Sequence, residues 1–177
     1  MQQEPDLTLV ERACSGDTDS FTELCRRYYP AMVAIAHSII DDRHLAEDAA
    51  QQTFAKAVRK MLHLKNKTKF VAWLAAICRN VAIDLANSRD RLQNAGDLSM
   101  IAAESQENDV SDAVKKALNK LSASAKEVIF LRYYDGMTYE QISAVLGVSE
   151  QAINGRLRRA KKKMASYLRH SGFDKVQ

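Results

Sequence analysis

The scarcity of helix breakers constrains this chain most. Only six Gly and two Pro occur in 177 residues. The long stretches between them are rich in Ala, Leu, Lys, Arg and Gln, which lose little side-chain entropy in a helix. No run alternates Val, Ile and Thr as a strand would. An apolar fraction of 46% is enough for packed cores. The expected fold class is all-α.

Hydrophobic spacing divides the chain into segments. A short helix is predicted near 7–15, ended by Gly16, with Asp17 or Asp19 capping the next. Phe21, Leu24, Cys25 and Tyr28 recur at helical spacing. Pro30 predicts a break there, with a new helix burying Val33, Ile35, Ala36, Ile39 and Ile40. A helix over 43–61 would turn Leu45, Ala49, Phe54 and either Val58 or Met61 inward. A basic loop follows at 63–68, then a helix over 69–89 with Phe70, Trp73, Leu74, Ile77, Val81 and Leu85 inside. Periodicity lapses until Val114, Ala117, Leu118 and Leu121. Ser122 or Ser124 then caps a helix holding Val128, Ile129 and Leu131, and Asp135-Gly136 is a turn. The expected organisation is two helical domains, 1–92 and 112–177, joined by a flexible acidic linker, 93–111.

Charge is distributed to match. The net charge is +4. From Lys56 to Lys69 there are six basic residues and no acid, and from Glu150 to Gln177 eight basic residues against two acids. Between Ala95 and Asp112 there are five acids and no Lys or Arg. Two basic blocks flanking an acidic stretch point to two contacts with one polyanion. Cys14, Cys25 and Cys78 lack metal-ligand spacing and read as reduced core thiols, so no metal and no cofactor is expected. No phosphate loop or nucleophile–base pair appears, so there are no catalytic residues and the chain is not an enzyme. The polar start and the lack of any transmembrane run predict a cytoplasmic protein without membrane insertion.

The sharpest local signal spans 138–164. Thr138-Tyr139-Glu140-Gln141 has the form of a capping box. A short helix burying Ile142, Val145 and Leu146 meets Gly147, which suits a tight turn. Ser149 caps a second helix burying Ile153, Leu157, Ala160 and Met164. Together they predict a helix-turn-helix. At 100° per residue, Gln151, Gly155, Arg158, Arg159 and Lys162 fall opposite the buried stripe, with Asn154 and Arg156 on its flanks. Such a helix can enter a major groove, where Arg reads guanine and Asn or Gln reads adenine.

These features resemble the extracytoplasmic-function sigma factors over nearly the whole chain. Residues 45–54, Leu-Ala-Glu-Asp-Ala-Ala-Gln-Gln-Thr-Phe, are similar to the family's Ala-Glu-Asp-x-x-Gln-x-x-Phe core. Residues 73–84 are similar to its Trp-Leu-x-x-Ile-x-x-Asn-x-x-x-Asp segment. Residues 114–168 look like its fourth conserved region. The resemblance implies that Glu47, Asp48 and Gln51 bind the clamp helices of the largest subunit of core RNA polymerase. It implies that Lys60, Lys65, Lys67, Arg79, Asn80 and Asp84 act at the −10 element of promoter DNA. There an amide can read an unpaired base, and Asp84 can accept from cytosine or orient Arg79. It implies that Thr138, Tyr139, Gln151, Asn154, Gly155, Arg156, Arg158, Arg159 and Lys162 act at the −35 element. An anti-sigma protein is a further partner of the kind many members have. Trp73 has the spacing of a core residue rather than a base-stacking one. Leu45, Gln52 and Val58 depart from the family pattern, the first two weakening its acidic surface. The alternative is a regulator with a LuxR-type DNA-binding domain, which the last helices also fit but the segment 73–84 does not.

Overall fold

The computed structural model describes residues 4–94 and 109–173, with no strand among them. The first unit comprises α1 (Asp6–Cys14), α2 (Thr18–Ile40), α3 (Arg43–Lys60) and α4 (Phe70–Asn94). The second comprises α5 (Asp109–Asn119), α6 (Ala123–Ile129), a π-helical turn (Phe130–Tyr134), α7 (Tyr139–Leu146) and α8 (Glu150–His170). The expected linker, 93–111, falls largely on residues outside those described.

Local chemistry sets the helix ends. Asp17 caps α2 by accepting from the amides of Asp19 and Ser20, and its bonds to Ser20 and Arg12 hold its carboxyl at about 2. Asp42 caps α3 through the amide of Leu45. Between them Asp41 takes a left-handed φ of 54°, which closes α2 within a two-residue connection. Arg27 donates to Asp6, Glu23 and the carbonyl of Glu4, fastening α1 to α2.

Pro30 does not break the chain; α2 runs through it. An internal Pro costs about 3 kcal/mol, but this one lies on the exposed side, where water can satisfy the carbonyl left without a donor. The turns after it are buried on all sides, with Ala31, Met32, Val33, Ala34, Ile35 and Ala36 each under 7% exposed. That burial outweighs the local cost. The expected stripe on one face was therefore too narrow. α1, α3 and α4 pack against α2 from within the first unit, and α6 and the π-turn pack against it from the second.

α3 buries mainly small residues, Ala46, Ala49, Ala50, Thr53 and Ala57, with Phe54, so its backbone lies close to its neighbours. Val58 is 48% exposed, and Met61 takes the inward position. Cys78 is buried, Cys14 and Cys25 half-buried, and burial pushes the Cys25 and Cys78 thiols up to about 11. The stretch Lys67–Leu92 is long and apolar enough to cross a membrane, with a hydropathy of 1.3, so the expectation that no such run exists needs amending. This stretch carries Arg79, Asp84 and Arg89, and its Phe70, Leu74, Ala75, Cys78, Val81 and Ala82 form the core of the first unit.

Candidate nucleic-acid interface

The second unit is a helix-turn-helix with both ends fixed as its sequence requires. Thr138 Oγ1 accepts from the Gln141 amide at 3.2 Å, and Gln141 Oε1 accepts from the Thr138 amide at 2.8 Å. Gly147 ends α7 at φ 67°, a conformation that suits glycine. Ser149 Oγ accepts from the Ala152 amide at 3.3 Å to start α8. The Ser143 hydroxyl donates to the Val148 carbonyl at 2.6 Å and braces the turn. Thr138→Ala removes the arm of the capping box that accepts from the Gln141 amide, leaves the backbone arm in place, and is expected to cost about 1 kcal/mol. Chemical denaturation would measure this.

α8 buries Ile153, Leu157 and Ala160 and half-buries Met164. Gln151, Asn154, Arg158, Arg159 and Lys162 are exposed, and Gly155 and Arg156 are half-buried. The predicted face is therefore brought together on one helix. Gly155 lies under the Arg159 guanidinium, because a β-carbon there would stand 3.4 Å from Arg159 Nη1. Arg156, Arg159 and Lys163 border a hollow of about 230 Å³ beside the start of α6. Lys163 was missed in the sequence, although its spacing from Arg159 puts both on one flank. Thr138 and Tyr139 are exposed at the start of α7. The Arg132 guanidinium stands 5.5 Å from the Tyr139 ring centroid and donates to the Met137 carbonyl, tying the approach to α7.

The first unit presents two surfaces. On α3, Asp48 and Gln51 are exposed and Glu47 is half-buried, paired with Arg43 at 3.1 Å. Gln52 is exposed beside them, while Leu45 is half-buried against the core, which accounts for an apolar residue there. The basic loop consists of two 3₁₀ turns, Met61–His63 and Lys67–Lys69. Buried Met61 anchors it, and Asn66 accepts from the Thr68 amide and hydroxyl. Lys60 and Lys65 are exposed and Lys67 half-buried. Asn80 and Asp84 lie exposed on α4. Trp73 packs against the core, its ring 5.9 Å from Phe70, as its spacing predicts.

Arg79 departs from expectation. Asp84 does not orient it; its Nε donates to Glu127 of α6 at 2.6 Å. Glu127 is only 8% exposed. No sequence signal could reveal this pair, because its members are 48 positions apart across the expected linker.

A model for sigma-70 region 2 matches residues 24–92, and one for sigma-70 region 4 matches residues 111–164. The RNA polymerase sigma-H factor of Pseudomonas aeruginosa is 26% identical over 91% of this chain and 92% of its own. A structure of CnrH in complex with the cytosolic domain of CnrY is 28% identical, with a TM-score of 0.62 over 93% of this chain and 97% of that one. The sigma factor RpoE of Bartonella quintana, solved with the anti-sigma factor NepR, is 30% identical with a TM-score of 0.56, over 86% of this chain and 98% of that one. The region 2 match covers the part of the chain that a LuxR-type regulator does not account for, so that alternative is not favoured. The chain belongs to the extracytoplasmic-function family of RNA polymerase sigma factors.

Proposed function

We propose that the chain docks on core RNA polymerase through Glu47, Asp48 and Gln51, and reads promoters with two separate surfaces. The observation that carries this reading is the exposed basic face of α8, set on a capped helix-turn-helix in the same chain as a region 2 bundle. At the −35 element, Arg158 and Arg159 supply guanidinium forks to base edges, with Gln151 and Asn154 as amide readers. Thr138, Tyr139, Arg156 and Lys162 hold the backbone, and Gly155 lets Arg159 lie close to the helix. At the −10 element, Lys60, Lys65 and Lys67 attract the opened strand. Arg79, Asn80 and Asp84 line α4, where an unpaired base can be read. Capture of an extruded base offsets an unstacking cost of a few kcal/mol.

The domain limits 1–92, 93–111 and 112–177 belong to the same reading, as does action in the cytoplasm, nucleoid-associated when bound to polymerase, without catalysis. CnrH was solved in complex with the cytosolic domain of CnrY and RpoE with the anti-sigma factor NepR, so an anti-sigma partner is proposed here too.

Asp48→Arg tests the polymerase contact. Asp48 is exposed, so the fold should survive. Co-purification with core polymerase is expected to be lost, together with transcription from a defined promoter. Retained co-purification would remove Asp48 from the contact.

A further inference from the structure

The two units meet at a histidine. His37, in the last turn of α2, is half-buried between two rings of the π-turn. The Phe130 centroid lies 5.0 Å away and the Tyr134 centroid 5.3 Å away, both edge to face at about 75°. Its Nδ1 is buried with no hydrogen-bond partner among the described residues. A neutral imidazole can leave Nδ1 unprotonated in such a cage, whereas an imidazolium would bring a charge and a second N–H donor into it, which burial disfavours.

The surrounding charges do not rescue the cation. Asp41 at the end of α2 and Asp42 at the start of α3 favour it, but Asp42 also faces Arg89 of α4 at 3.6 Å. Arg43 of α3 and Lys115 of α5 oppose it. Glu127 of α6 is taken up by Arg79. Burial is the largest influence and holds the His37 pKa below its ordinary value of 6.5.

We propose that His37 is a proton-operated latch, which holds the two units together when neutral and releases them when protonated. Closure occupies Arg79 with Glu127. It also seats Gly147 against α4, a β-carbon there standing 3.7 Å from Ala72 Cβ, beside the start of the recognition helix α8. Opening frees both. That consequence for promoter binding rests on the proposed function; the latch itself does not. The sign follows from the lowered pKa. Closure is at full strength above about pH 6.5 and weakens as pH falls below it. One proton can change the open-to-closed ratio by at most about tenfold per pH unit.

Small-angle scattering of the full chain between pH 8 and 5.5 tests this. A compact chain of this length has a radius of gyration of about 16 Å. The wild type should lie near it at pH 8 and expand at pH 5.5, while His37→Phe, which keeps an aromatic ring without the titration, stays compact throughout. His37→Arg, if circular dichroism shows it folded, should be expanded already at pH 8. The other histidines, His44, His63 and His170, are exposed and unchanged in all variants. A constant wild-type radius, or expansion of His37→Phe in step with the wild type, overturns the latch. Duplex binding measured separately keeps the readings apart. Failure to bind −35 DNA with intact pH-driven opening would count against the promoter reading alone.

Discussion

Changing Arg158 and Arg159 together to alanine is expected to weaken binding of duplex −35 DNA by about 2–6 kcal/mol, at least thirtyfold. Each bidentate base contact contributes about 1–3 kcal/mol, and the two side chains point to different sides of α8. Arg159 crosses Gly155, whereas Arg158 projects free of it. Each single change should therefore relax specificity at a different base pair, which anisotropy titrations against a panel of substituted duplexes would resolve. Lys162→Ala should instead lower affinity for all duplexes alike and reduce the salt slope by about 1. Asn80→Ala lies on the other unit. It should leave duplex binding intact and impair strand opening, seen as loss of permanganate-reactive thymines at the −10 element. Normal opening by Asn80→Ala, with unchanged duplex binding by both arginine variants, would sink the two-surface reading.

Phe70→Ala is expected to lower stability by about 3–5 kcal/mol. Phe70 opens α4, is 2% exposed, and sets its ring against Tyr28 of α2 at 6.2 Å and Trp73 at 5.9 Å. The cavity left behind cannot collapse easily, because α2 and α4 are each pinned further along by Met32, Leu74 and Cys78. Such a loss is a large part of the 5–15 kcal/mol typical of a domain. Urea denaturation should show a lower midpoint with an unchanged slope. A loss below 1 kcal/mol would mean that the ring is not a keystone of the first unit.

The helix ends were legible because their signals are local. The Thr138 box, the Gly147 turn and the Ser149 cap each need only neighbours in sequence, and all lie where the spacing put them. The exposed face of α8 was legible for the same reason, since rotation about a known axis fixes it. Pro30 misled because its penalty is local while the offsetting burial of residues 31–36 is tertiary. That burial comes partly from α6 and the π-turn, about 90 positions downstream, which no window on α2 can sense. Separation in sequence also concealed the Arg79–Glu127 pair, 48 positions apart, and the cage around His37. Charge patterning suggested two surfaces facing one polyanion, and gave no hint that the units would also face each other.

The two-sided burial of α2 has a consequence for synthesis. The first unit leaves the ribosome before its cover exists, since about forty residues separate Asn94 from the end of the π-turn at Tyr134. At 5–20 residues per second that gap lasts roughly 2–8 s. During it the bundle can form, but the flank of α2 that α6 will later cover stands open to water beside other nascent chains. This interval favours capture by a chaperone or by a sister chain, and a transcript that slows translation after residue 94 should lower the soluble yield.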